Sequence, residues 1–409
     1  MWYNRGGGWD EIDVMRQMNH GVELGIECLV DGERHRIRGR RVALLAHPAS
    51  VNHDYIHALT LLRQAGAAVK VLFGPEHGFM GETQDMEPVA GIAVHSSGIP
   101  IRSLYGHTAD TLAPTPGDLN GLDAVVVDLQ DVGARYYTFI WTALLTLRAC
   151  REAGVEMILT DRANPIGGDR VEGAPQEEGY LSFVGLKKVA VRHGMTIGEL
   201  VAMAAEEEGI ADVLTVIRMT GWQRHLFLDE TDIGWVMPSP NMPTEETAMV
   251  YPGMCLVEGT DCSEGRGTTR PFELVGGSGI NGERLAKRLA DYALPGVLFR
   301  PVSFIPGFQK HKDTRCSGVQ LHVRARRKFL PFRTGVAVLL ALKAEANEQF
   351  RWRHAPYEFV EEIPAIDLLT GSSVVRTMVE EGAPLEEIAD TWADGERAFN
   401  EQRAPFLFY

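Results

Sequence analysis

Apolar positions in the first half of the chain fall in short unbroken runs, each ending abruptly in polar residues. Val69–Phe73 runs into Gly74-Pro75-Glu76-His77-Gly78, Ala124–Val127 into Asp128–Arg135, and Met157–Leu159 into Thr160–Asn164. Runs of this kind are what strands buried on both faces of a parallel sheet require. Ligands of such sheets bind beyond the carboxyl ends of the strands, so chemistry is expected in the loops that these three runs feed.

The same pattern predicts a strand over Arg41–Ala46, ending at His47-Pro48-Ala49-Ser50, and an amphipathic helix over Tyr55–Ala65 closed by Gly66. With Val69–Phe73 they make a βαβ unit. Ala124–Asp128 supplies a further strand, Thr138–Ala153 a long helix stopped by Gly154, and Met157–Thr160 the next strand. The alternation specifies the α/β class, with a doubly wound parallel sheet. Thr196-Ile197-Gly198-Glu199 has the form of a capping box, predicting a helix to about Glu208 before Gly209.

Pro238-Ser239-Pro240-Asn241-Met242-Pro243-Thr244 excludes regular structure, because its prolines remove donors and fix φ. It marks the expected boundary between residues 1–246 and residues 247–409. Beyond it lie a turn-rich segment Gly253–Gly279, a helix Gly282–Tyr292, a strand near Gly318–Val323, and helices near Thr334–Gln349, Val374–Glu381 and Leu385–Ala398. Less regular alternation predicts a second, smaller α+β domain.

Length agrees with two domains, since 409 residues exceed what one core usually serves. A net charge of −15 argues against a phosphate-tracking surface, so no nucleic-acid partner is expected. The five cysteines are scattered without a C-x-x-C pair, which indicates neither a disulfide framework nor structural zinc. Met1 to Arg16 has no apolar stretch of the kind an export signal needs, and no run approaches a membrane span, so a cytoplasmic chain is expected. Oligomeric state is not readable from these residues.

Glu76 follows an apolar strand in a turn stiffened by Pro75, which presents its carboxyl at the sheet edge. General acid catalysis suits it, because a carboxylic acid held near apolar groups such as Phe73 and Phe79 keeps its proton nearer neutral pH. A solvated loop glutamate is the alternative. The cluster Asp128–Tyr137 combines acceptors, a guanidinium and two phenols: Arg135 suits an anion and Tyr136 or Tyr137 a ring face, unless Arg135 pairs internally with Asp128 or Asp131. Asp161-Arg162-Ala163-Asn164 carries the same ambiguity. Ser239 and Asn241 offer neutral hydrogen bonds, and Ser263–Thr268 is a glycine-rich polar loop open to close backbone approach. That loop lacks a Gly-Lys-Ser/Thr ending, and no G-x-G-x-x-G follows the first strand, so no nucleotide or other cofactor is assigned. His47, Glu76, His77 and Asp128 lie near strand ends and make a metal site the rival reading, although no H-E-x-x-H or similar pair is present.

Five segments together, namely Gly74–Gly78, Asp128–Thr138, Asp161–Gly168, Pro238–Thr244 and Glu258–Glu273, resemble those of the NamZ-type exo-β-N-acetylmuramidases, formerly a bacterial family of unknown function. The resemblance extends from about Gly25 to the C-terminus. Departures fall at Ala163, where proline is usual, and at Asp261-Cys262. The resemblance implies a Rossmann-like N-terminal domain, a smaller C-terminal domain with a cleft between them, and release of N-acetylmuramic acid from the non-reducing ends of peptidoglycan fragments. It makes Glu76 the leading catalytic residue. Family members are often exported.

A muramyl substrate asks for an arginine at its lactyl carboxylate, for which Arg135, Arg162 and Arg266 are available, and for neutral groups such as Gln130, Asn164, Ser239 and Asn241. His77, Asp131, Tyr137 and Asp161 complete the expected binding set. Glycoside hydrolysis commonly uses a second carboxyl; Glu264 is favoured, then Glu172 or Asp131, unless the acetamido group is itself the nucleophile. The rivals are a metal-dependent hydrolase using His47, His77 and Asp128, and a cell-wall sugar-binding protein without turnover.

Overall fold

The computed structural model describes residues 21–84, 86–88, 93–346 and 350–409. Met1 to Arg16, and the end of the helix expected near Thr334–Gln349, lie outside these residues.

A seven-stranded sheet forms the first half: β1 (Arg41–Ala46), β2 (Ala68–Gly74), β3 (Ala93–Val94), β4 (Pro100–Ser103), β5 (Ala124–Asp128), β6 (Glu156–Thr160) and β7 (Leu214–Ile217). Their spatial order is β3-β4-β2-β1-β5-β6-β7, parallel throughout except for the antiparallel β3–β4 pair. The chain winds outward from β1 through β2 and β4, returns to pair β5 with the other edge of β1, and winds outward again. The topological switch point therefore lies between β1 and β5. Every residue of β5 is buried, which is why its sequence is an unbroken apolar run up to Asp128.

Helices cover both faces, among them α1 (Gly25–Asp31), α2 (Ala58–Gln64), α3 (Phe139–Ala153) and α4 (Ile197–Glu208). α3 buries Phe139, Ile140, Trp141, Leu144 and Leu147 and stops at Gly154, whose φ of 66° is left-handed. The expected capping box opens α4: the Thr196 hydroxyl accepts from the Glu199 amide at 3.2 Å, and the Glu199 carboxylate from the Thr196 amide at 3.0 Å.

Pro238–Thr244 is irregular, and Thr244 caps α5 (Glu245–Met254). α5 crosses α7 (Pro331–Ala346) so closely that a Cβ on Gly253 would stand 1.9 Å from the Pro331 carbonyl oxygen. Between them come α6 (Gly282–Asp291) and a small antiparallel sheet, β8 (Leu274–Gly277), β9 (Val297–Phe304) and β10 (Cys316–Val323), ordered β8-β10-β9. α8 (Ala365–Thr370), α9 (Val374–Glu381) and α10 (Leu385–Arg403) complete this smaller part. The two parts share apolar packing, with Val127 and Trp141 in the same buried cluster as Val257, Phe272 and Val338. The chain end also returns to the first part, where the Tyr409 hydroxyl donates to Asp161 at 2.8 Å. Among the described residues no helix is long and apolar enough to cross a membrane.

Candidate active site

The loop after β2 folds back at once: a Cβ on Gly74 would lie 2.2 Å from the Phe79 amide nitrogen, so only glycine fits there. His77 takes a left-handed φ of 70°, and its Nδ1 lies 2.8 Å from the Thr83 carbonyl, an arrangement that requires Nδ1–H as donor. This hairpin-like return leaves Glu76 buried at the sheet edge. Thr138, the residue before α3, donates its hydroxyl to Glu76 Oε2 at 2.7 Å instead of capping its own helix. The Met86 amide reaches Glu76 Oε1 at 3.3 Å.

The second part brings the other wall, from the end of α5, the 3₁₀ turn Cys255–Gly259 and the loops around Arg266 and Tyr357. The cleft between the two walls is narrow, with a cavity volume of about 40 Å³; Glu76, His77, Tyr137, Ser239, Asn241, Glu258, Arg266, Tyr357 and Glu358 are among the residues lining it. Glu258 takes a charge-assisted hydrogen bond from Arg266 at 2.7 Å and another bond from the Tyr357 hydroxyl at 2.7 Å. Burial disfavours its charge, but Arg266, the Tyr357 bond and Lys310 outweigh burial and hold the carboxyl below its ordinary range. Arg266 in turn lies 5.0 Å over the Phe272 ring. Glu358 is buried, accepts from Tyr105 at 3.0 Å, and has a left-handed φ of 45°, a strained conformation for a glutamate. Tyr137 and Tyr357 are pushed far above the ordinary phenol range by burial and stay neutral donors, with Ser239 beside the Tyr137 hydroxyl. Asn241 closes one side by donating to Gln84 at 2.8 Å.

Comparison with known proteins decides the family. Profiles described as exo-beta-N-acetylmuramidase NamZ, N-terminal and C-terminal, match residues 42–246 and 249–409. The chain belongs to the NamZ family. A relative named peptidoglycan beta-N-acetylmuramidase NamZ, from Bacillus subtilis (strain 168), is 39% identical over 389 residues, covering 95% of this chain and 91% of the relative. Two solved DUF1343 family proteins from Bacteroides fragilis superpose with TM-scores of 0.84 and 0.73, at 30% and 27% identity; each match covers 95% of this chain and 99% of the other.

On this NamZ-family scaffold, seven of the residues singled out from sequence meet at the cleft: Glu76, His77, Tyr136, Tyr137, Ser239, Asn241 and Arg266. The others do not line it. Arg135 is sealed inside, with its guanidinium on the carbonyls of Ala174, Val189 and Leu369, and burial brings its pKa down to about 10. Arg162 forms a two-pronged pair with Asp128 at 2.7 and 2.9 Å, both side chains buried. Asp161 accepts from Thr196 at 2.7 Å and the Gly198 amide at 2.8 Å, which ties β6 to the start of α4. Asn164 donates to the Met195 carbonyl, Gln130 to those of Asp131 and Ala163, and Asp131 accepts from the Gly133 amide. Glu172 pairs with Arg192 at 3.0 Å. Glu264 lies behind Arg266, bound to Lys310 at 2.7 Å. The structure does not bring these residues to the cleft; each has a protein partner that fixes a loop.

The switch-point crevice itself is plugged. His47 is fully buried against Phe139, and its Nε2 accepts from the Gln130 amide at 2.8 Å. Burial first, then the nearby Arg162 charge, keep this imidazole neutral. Asp128 is held by Arg162 and His47 Nε2 by the Gln130 amide, which leaves only His77 Nε2 of the His47, His77 and Asp128 set open. Among the described residues no three His, Cys, Asp or Glu side chains are placed to hold a metal. Glu258 sits inside a segment flagged from sequence without being chosen; Tyr357 and Glu358 carried no local signal.

Proposed function

We propose that this chain is an exo-β-N-acetylmuramidase that releases N-acetylmuramic acid from the non-reducing ends of peptidoglycan fragments, with Glu76 as general acid. The observation that carries it is the opposition, across one cleft, of Glu76 with its Thr138 and Met86 partners to Glu258 with its Arg266 and Tyr357 partners. A glycosidic bond breaks when its leaving oxygen is protonated and the oxocarbenium-like centre is stabilised. Glu76 supplies the proton. A hydroxyl both donates and accepts, so Thr138 serves the carboxyl before and after transfer, while the Met86 amide favours the carboxylate formed.

Glu258 takes the opposing role, in place of Glu264. Arg266 and Tyr357 keep it ionised, so it offers negative charge to the developing cation without an ionisation step. His77, Tyr137, Ser239 and Asn241 supply polar groups for the acetamido and hydroxyl substituents. In this account residues 1–246 contribute the acid and residues 247–409 the opposing carboxylate. Incubation with a muramyl-terminated disaccharide tests it: wild type releases N-acetylmuramic acid and Glu76→Gln, equally folded, does not. Saturable binding by wild type without release overturns the proposal in favour of a binding protein.

A further inference from the structure

Among the described residues lining the cleft none offers an uncommitted Arg or Lys to an anionic substrate. Three carboxyls line it, Glu76, Glu258 and Glu358, against Arg266 as the one Arg or Lys side chain among its described lining residues. Arg266 is already committed to Glu258 at 2.7 Å and lies 3.7 Å from Glu264. Muramic acid brings a lactyl carboxylate of its own, and a carboxylate entering such a site needs a positive partner.

Arg353 stands beside this cleft with no acidic partner among the described residues. Its guanidinium lies 5.5 Å over the Tyr357 ring, and Nη2 reaches the Met86 sulfur at 3.8 Å. Tyr357 belongs to the Glu258 wall and Met86 to the Glu76 wall, and both line the cleft. The arginine therefore touches a lining residue from each side. Its root is fixed beside the opposing carboxylate, because the Arg353 amide donates to the Gly259 carbonyl at 2.8 Å. The thioether is a weak acceptor that takes one Nη2 donor and the aromatic face takes none, so most of the in-plane fork stays available for a planar anion.

Resting on the muramidase activity proposed above, we propose that Arg353 is the specificity residue that binds the lactyl carboxylate of the terminal muramic acid. Product inhibition tests it, with free N-acetylmuramic acid, its lactyl methyl ester and muramyl dipeptide compared on wild type, Arg353→Ala and Arg353→Lys. In wild type the acid is expected to inhibit roughly 10- to 100-fold more tightly than the ester, as for a hydrogen-bonded charge pair. In Arg353→Ala the inhibition constant of the acid rises to that of the ester and the ester's stays in place; Arg353→Lys falls between. A merely structural arginine would weaken acid and ester alike. Wild type that inhibits equally with acid and ester overturns the inference by itself, even if the alanine variant fails to fold. So does an Arg353→Ala effect confined to muramyl dipeptide, which would assign the arginine to the peptide's carboxylate. Cleavage of muramides without this carboxylate preference defeats only the Arg353 assignment, whereas absence of cleavage by wild type defeats the muramidase proposal.

Discussion

The two walls of the cleft are built on opposite principles. On the sheet side, polar residues crowd the ends of β5 and β6, yet nearly all are spent on one another: Arg162 on Asp128, Arg135 on three carbonyls, Asp161 on the start of α4. From that side Glu76, His77 and Tyr137 reach the cleft, with Thr138 behind Glu76. The other wall presents Tyr251 from α5, Glu258 from the short 3₁₀ turn that follows it, and the loops around Arg266 and Tyr357-Glu358, and it brings more charge to the opening. A buried polar cluster and a catalytic one use the same residue types. What separates them is whether a protein partner already occupies each group.

The comparison is broken most directly by mutating across it. Glu76→Gln is expected to lower kcat by about 10²- to 10⁴-fold, the usual share of a general acid, while the denaturant midpoint stays near that of wild type. Arg162→Ala should do the reverse in kind: urea unfolding is expected to show a loss of about 3–5 kcal/mol, because Asp128 is left charged and buried without its partner, and the folded fraction should keep turning over. Should Arg162→Ala instead remain stable and lose turnover, the sheet-side cluster belongs to the chemistry.

A smaller effect sharpens the account of the far wall. Glu258→Gln is expected to reduce kcat by about 10²- to 10³-fold, as for loss of one preorganised electrostatic group, and Glu264→Gln far less. Steady-state kinetics on the two variants side by side check the choice between them.

Smallest is the pH dependence of stability. Glu258 has an ordinary value of 4.5 and lies lower in the folded protein, so it stabilises the fold above about pH 4.5 and that contribution fades as pH falls through the folded value. Urea midpoints of wild type and Glu258→Gln should therefore differ at pH 6 and converge in acid. A gap that widens in acid would reverse the sign.

Much of the sheet was legible because burial on both faces leaves an unbroken apolar run: β1 and β5 occupy the expected residues, as does the capped start of α4. β7 was not, since Leu214, Thr215 and Val216 are only half-buried at the sheet edge and show no such run. Glu76 stood out through its rigid turn after a strand. Arg135 and Arg162 misled because a sequence shows that an arginine has acids nearby but not that they enclose it. Glu358 was invisible for a different reason: its place depends on Tyr105 and on Phe359 packing with Tyr105 and Phe183, contacts spanning well over a hundred positions.

The central claim is that Glu76 protonates the leaving oxygen, and leaving-group dependence tests it most directly. A dinitrophenyl muramide departs as a stable anion and needs no proton, unlike the sugar oxygen of a muramyl disaccharide. The account predicts that Glu76→Gln loses most of its turnover on the disaccharide and that the deficit shrinks by at least about tenfold on the dinitrophenyl substrate. An equal deficit on both substrates would contradict it.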